Sequence, residues 1–211
     1  RALGGLQPAQ GGVTLNQESL WGMDATQRNQ RLAYLPQTLP QASSLVVYEL
    51  LLGSARLAGM SGLRSAQEIE IVSRRLGIGS LLLRQLNQLS GGQRQMVGLA
   101  QTLVRRASLL LLDEPTSALD LRWQLKVLGV VRQYVENEER IALFACHDLN
   151  LALRFASHVL LLGAGGEANL GAPSELITPA ALQRIYGVQA RVERCSQGFP
   201  VVLADAALGD Q

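Results

Sequence analysis

Leu109-Leu110-Leu111-Leu112-Asp113-Glu114-Pro115 is the stretch whose reading decides the fold. Four consecutive leucines suit a strand buried on both faces, as a central strand of a parallel sheet is. Ligands of open α/β sheets bind beyond the carboxyl ends of such strands, so Asp113 and Glu114 emerge where a ligand sits. Adjacent residues on a strand point opposite ways, but at the strand end the chain turns and both carboxylates can approach one site. Asp113 suits a magnesium position, directly or through water, because Mg²⁺ prefers oxygen ligands and keeps several waters. Glu114 suits a general base that polarises an attacking water. Taken alone, the run also reads as a strand followed by an acidic cap with Pro115 opening a turn.

Upstream stands Leu89-Ser90-Gly91-Gly92-Gln93. Ser90 is a good N-cap, Gly91 and Gly92 let backbone N–H groups approach an anion, and the following helix directs its positive end at that anion. Gln93 adds a neutral donor. Around these two stretches the pattern alternates between strand and helix, which argues for parallel βαβ units. Strands are expected at 13–15, 31–35, 109–113, 141–146 and 159–162, and helices at 92–104, 121–135 and 149–155. Residues 43–60 and 65–76 read as a helical insert, the second helix with a Ser65/Glu68 capping box and a stop at Gly77. Arg1 to Leu6 reads as the tail of a helix ending at Gly4-Gly5. The segment 173–211 reads as short helices followed by strands near 190–193 and 200–203.

The 211 residues suit one domain, or a domain with a small lobe, and 47% hydrophobic content is ample for a core. A net charge of +2 gives no electrostatic case for nucleic acid. Arg105-Arg106 reads as a solvated helix terminus. Cys146 and Cys195 lack metal or redox spacing and read as thiols in a reducing compartment. No apolar stretch approaches the roughly 18 residues that span a bilayer. Trp21 and Tyr34 read as packing residues, and His158 as a surface or packing residue.

Leu-Ser-Gly-Gly-Gln-Arg-Gln followed by Asp-Glu-Pro-Thr-Ser-Ala-Leu-Asp resembles the nucleotide-binding subunit of an ABC transporter. The resemblance covers essentially the whole chain, and it implies an α/β, P-loop NTPase-like ABC ATPase domain with a helical subdomain near 40–92 and a C-terminal extension near 173–211. It assigns roles in the expected order. Gln37, after Leu35-Pro36, resembles the Q-loop glutamine that reaches magnesium and couples to the membrane subunits. Asp120, in Ser117-Ala118-Leu119-Asp120, resembles the D-loop aspartate between two copies. His147 resembles the switch histidine that contacts the γ-phosphate. In the family two cassettes pack head to tail, so Ser90, Gly91, Gly92 and Gln93 would bind ATP held by the partner. ATP and Mg²⁺ are the implied cofactors. The implied partners are a second ATPase subunit, transmembrane permease subunits and, indirectly, a substrate-binding protein. The implied location is peripheral, on the cytoplasmic face of the inner membrane.

No G-x-x-x-x-G-K-[ST] phosphate loop occurs in these residues. By the resemblance Arg1 sits just downstream of its place, so the first strands, the Walker A loop and the adenine-stacking aromatic are expected upstream. The chain as written is expected to bind ATP poorly and not to hydrolyse it. His147-Asp148-Leu149-Asn150-Leu151-Ala152, the tail stretch 171–179 and Ile185-Tyr186-Gly187-Val188 are similar to the ATPases of iron-siderophore, haem and cobalamin importers, with ferric siderophore the expected cargo. The rival readings are a soluble ABC ATPase acting on ribosomes or DNA, and a non-catalytic subunit that supplies only the signature half of a composite site.

Overall fold

Leu109–Asp113 (β4) is the middle strand of a three-stranded parallel sheet, flanked by Leu32–Leu35 (β3) and Ile141–Ala145 (β5). These features come from a computed structural model that describes every residue except 1, 6, 9, 39, 138, 164, 165, 210 and 211. All four leucines of β4 are buried, at 6% exposure or less. Leu110 and Leu112 face a large apolar cluster with Ala33 and Leu35, while Leu109 and Leu111 face a smaller one with Leu15, Leu20 and Leu32. Each buried leucine contributes about 1.5–3 kcal/mol relative to exposure, so this run anchors both faces of the sheet. Strand β5 is less well covered, with Ile141 and Leu143 each 46% exposed.

The connection from β3 to β4 carries the helices Val47–Leu57 (α2), Gly62–Leu76 (α3) and Gly91–Leu103 (α4). Leu51, Ile69, Val72 and Leu76 from the first two meet Met96, Leu99 and Leu103 of α4 in the cluster that also holds β4. The helical insert therefore shares one core with the sheet. Leu121–Glu136 (α5) returns the chain to β5 and adds Val127, Val130 and Val131 to that core.

Several sequence expectations need correction. The helix expected from Ser43 starts at Val47, because residues 43–46 are non-helical and engaged elsewhere. Ser43 and Leu45 accept backbone bonds from Asn87 and Leu86, and Val46 bridges Gln85. The Ser65/Glu68 capping box does not form. Ser61 is the N-cap of α3, Ser65 donates to the Ser61 carbonyl at 2.8 Å, and Glu68 pairs with Arg106. Arg105 and Arg106 are thus not a solvated pair. Arg105 Nη2 donates to the Asn29 and Leu32 carbonyls at 2.7 and 2.9 Å, and burial lowers its pKa. Gly77 does end α3, with φ at +68°.

Near the start, residues 2–5 form a turn in which the Gly5 N–H donates to the Ala2 carbonyl, not a helix tail. Arg1 and Leu6, the ends of that expected helix tail, lie outside the described residues. Thr14–Leu15 (β1) pairs with Glu18–Ser19 (β2) through Asn16 and Gln17, both at positive φ as a tight hairpin requires. Ala25–Arg31 (α1) was not anticipated, because it is short and buries no side chain. Its signal is the Asp24/Gln27 capping box.

Residues 146–211 form a second compact unit. It contains Leu149–Phe155 (α6), an antiparallel pair Val159–Leu162 (β6) and Ala168–Gly171 (β7), and the helices Pro173–Leu176 (α7) and Pro179–Tyr186 (α8). A hairpin of Val188–Arg194 (β8) and Pro200–Ala207 (β9) closes it, longer than the strands expected near 190 and 200. Leu153, Ile177, Leu182 and Ala190 are its core. Among the described residues no helix is long and apolar enough to cross a membrane.

Candidate functional site

Ser90 caps α4 reciprocally with Gln93. Its Oγ accepts from the Gln93 N–H at 3.3 Å, and Gln93 Oε1 accepts from the Ser90 N–H at 3.0 Å. That use of Oε1 leaves the Gln93 amide nitrogen as its donor end. The first turn of α4 carries no acidic side chain, so nothing within it offsets the positive end of the helix dipole. Neither glycine is demanded by the backbone, since both have ordinary φ. A Cβ at Gly91 would meet nothing within 4 Å, and one at Gly92 would make ordinary contact with the Ala118 carbonyl and Leu119 at 3.6 Å. Open space before Gly91 suits close approach of an external anion.

The carboxylate turn follows β4 directly. Leu35 is in register with Leu112, and Asp113 with Ala145, so all three strands end on the same side. Glu114 adopts φ +50°, the left-handed region that is uncommon for a residue with a side chain and costs about 1 kcal/mol or more. This single turned residue ends the strand alternation at Glu114. The turn is then wound on itself. Ser117 Oγ and the Ser117 N–H donate to the Glu114 carbonyl at 3.1 and 3.3 Å. Gln124 Nε2, from α5, donates to the Thr116 and Leu119 carbonyls at 3.3 and 3.1 Å. Asp120 caps α5, its Oδ1 accepting from the Trp123 N–H at 3.0 Å.

Two residues outside the expected site hold it in place. Tyr34 packs beside Leu32 and Leu111, as expected, yet its hydroxyl also donates to Asp113 Oδ2 at 3.0 Å. Gln95 is 2% exposed, and its Nε2 donates to the Pro115 carbonyl at 3.1 Å. Gln95 therefore ties the helix begun by Ser90 to the turn begun by Asp113. Its signal was a polar residue at a position where α4 is otherwise apolar, but solvent exposure explains such a residue equally well in a sequence. Gln37 lies exposed in the bend after β3, on the side where β4 ends.

His147 belongs to the second unit, exposed in the turn between the end of β5 and α6. Asp148 caps α6, its Oδ1 accepting from the Asn150 and Leu151 N–H groups at 2.8 and 3.1 Å, and the Cys146 thiol donates to the Asp148 carbonyl. His158 is exposed beside Ser157. No group of three His, Cys, Asp or Glu side chains able to hold a metal occurs among the described residues. A site with few protein carboxylates suits Mg²⁺ that arrives with a phosphate ligand, since that ion seldom has an all-protein cage.

Comparison with known proteins gives the family and the fold. The family model described as ABC transporter matches residues 2–117. The hemin import ATP-binding protein HmuV of Pseudomonas entomophila is 37% identical over 207 residues, covering 95% of this chain and 80% of that protein. The achromobactin transport ATP-binding protein CbrD of Dickeya dadantii is 33% identical over 192 residues, covering 89% of this chain and 71% of that one. The solved structure of an ATP-binding subunit of an ABC transporter superposes with a TM-score of 0.71 at 22% identity, covering 82% of this chain and 72% of that chain, which establishes the shared fold.

Proposed function

Since the chain belongs to the ABC transporter family of ATP-binding proteins, we propose that it is the ATP-hydrolysing subunit of an importer for metal chelates, with hemin or a ferric siderophore as cargo. The observation that carries this reading is the Gln95 bond to Pro115, which joins an anion-ready helix end to the turn holding Asp113 and Glu114. The relatives' activities, hemin import and achromobactin transport, support import of a metal chelate. The tail stretch is similar to siderophore, haem and cobalamin importers alike, and the hemin relative is the more similar of the two, which favours hemin over the ferric siderophore expected from the sequence.

In this reading Glu114, in the left-handed turn that ends the strand, is the general base for the attacking water. Asp113, with one oxygen held by Tyr34, and Gln37 are the magnesium-facing groups. Mg²⁺, when bound with ATP, neutralises charge on the transferring phosphoryl group. His147 contacts the γ-phosphate. Ser90, Gly91, Gly92 and Gln93 grip nucleotide held by a second ATPase subunit packed head to tail, stabilising developing charge with preorganised donors. Asp120 lies at that subunit boundary. Hydrolysis resets permease subunits gripped near Gln37, with a substrate-binding protein delivering cargo from the far side, and the chain sits peripherally on the cytoplasmic face of the inner membrane. The 211 residues carry no phosphate-loop motif, so as written they do not turn over ATP.

Reconstitution of the complete ATPase with its permease in vesicles tests the reading. Binding protein loaded with hemin, or with a ferric siderophore, should stimulate ATP hydrolysis, and Glu114→Gln should abolish it. Hydrolysis indifferent to either cargo would contradict the importer assignment.

A further inference from the structure

Asn150, three residues past His147, bonds the C-terminal hairpin through its side chain. Asn150 Oδ1 accepts from the Val202 N–H at 2.7 Å, and Asn150 Nδ2 donates to the Val202 carbonyl at 3.4 Å. The hairpin has only two strands, so β9 has one edge away from β8. Val202 lies opposite Val192, and bonding both of its backbone groups to Asn150 requires that they point outward from the pair. A carboxamide is the neutral side chain that offers one donor and one acceptor in the spacing a strand edge presents. Asn150 thus acts as a one-residue extension of the sheet and covers the edge at that point.

The same residue is bound on its other side to the histidine turn. Its N–H donates to Asp148 Oδ1 at 2.8 Å, and Asp148 directly follows His147. Beneath these bonds Leu149 and Ala152 of α6 and Val202 of β9 pack on one apolar cluster with Leu153 and Ile177. Apolar contact alone lets a short helix such as α6 rotate or slide on the hairpin. Two directional bonds to a single backbone position remove that freedom.

We propose that Asn150 is a positioning residue for His147, and that the hairpin formed by residues 188–207 is the scaffold that sets where the histidine stands. This rests on the reading of His147 as the γ-phosphate contact, but its position can be measured without that role. A displacement of the hairpin, by truncation or by a partner bound to it, passes to His147 through Asn150.

The chain has two histidines, which makes the test direct. In imidazole ¹H–¹³C correlation spectra of the 211-residue protein, Asn150→Ala should shift or broaden the His147 signal and leave His158 unchanged. Hydrogen exchange at the Asn150 and Leu151 amides should rise about tenfold, the loss expected for removing a pair of exposed hydrogen bonds. Val202→Pro attacks the bond from the other side. It removes the outward N–H of an edge strand, where proline is tolerated, and should move the same single imidazole signal. Combining both substitutions should add nothing beyond either alone. An unmoved His147 signal in either variant, or His147 and His158 shifting together, overturns the proposal. In the ATPase reconstituted with its permease, loss of hydrolysis on replacing His147 tests the γ-phosphate role separately.

Discussion

Replacing Gln95 should loosen the junction between the signature helix and the carboxylate turn by a predictable amount. Gln95 is 2% exposed and donates to the Pro115 carbonyl at 3.1 Å, and Pro115 is itself buried. Gln95→Met preserves length and removes the donor. The loss of a neutral hydrogen bond, with a buried carbonyl deprived of that donor, costs about 1–3 kcal/mol. The apolar thioether recovers part of this on burial, leaving a net destabilisation of about 1–2 kcal/mol. For a chain of this size that lowers Tm by about 3–6 °C. Gln95→Glu should be worse at neutral pH, about 3–5 kcal/mol, because it places a buried carboxylate against a carbonyl oxygen. Its sign with pH is opposite to that of a salt-bridged acid. Acidification protonates the introduced carboxyl, restores an O–H donor toward Pro115 and recovers stability relative to wild type. Thermal melts followed by circular dichroism at neutral and mildly acidic pH report both variants. A Gln95→Met protein melting within about 1 °C of wild type would refute the junction, as would a Gln95→Glu protein whose deficit does not shrink in acid.

Tyr34→Phe removes the hydroxyl that holds Asp113 and should weaken Mg²⁺ dependence of hydrolysis in the complete enzyme about tenfold, read from the magnesium concentration at half-maximal rate. An unchanged midpoint would make Tyr34 a packing residue only. Glu68→Ala leaves the Arg106 guanidinium half-covered without its carboxylate and should cost about 1–3 kcal/mol in urea unfolding, discounted because Arg106 is 32% exposed. In the hairpin, Arg191 binds Asp205 through two nitrogens at 2.9 and 3.0 Å, and this hydrogen bonding holds the Asp205 carboxyl below its ordinary value of 3.8. A depressed carboxylate stabilises the fold above its unfolded value and loses that effect as pH falls through its folded one. Asp205→Asn should therefore lower hairpin stability at neutral pH, with the difference from wild type shrinking below pH 3.8, as amide exchange in β8 and β9 would show.

The central strand and its carboxylates were legible because four leucines before two acids admit few arrangements, and the cap at Ser90 because its partner Gln93 lies three residues away. Local signals of that kind name their own partners. Longer-range partners do not. Tyr34 and Asp113, or Gln95 and Pro115, meet only through the parallel register and the packing of α4, and a tyrosine among leucines reads as core whichever way its hydroxyl turns. The misplaced capping box shows the converse. Ser65 and Glu68 have the right spacing, but Glu68 is drawn to Arg106 and Ser61 stands in a better position to begin the helix. Glu114's left-handed turn carries no composition signal at all, because its strain is imposed by the bonds that wind residues 114–119 behind it.

ATP hydrolysis compared between two proteins tests the account most directly. One is the 211-residue chain, and the other is the same chain extended at its N-terminus by a strand and a G-x-x-x-x-G-K-[ST] phosphate loop. The account predicts no turnover from the first and steady Mg²⁺-dependent turnover from the second, abolished by Glu114→Gln and by His147→Ala. Turnover by the first protein, or turnover by the second that survives Glu114→Gln, would contradict it.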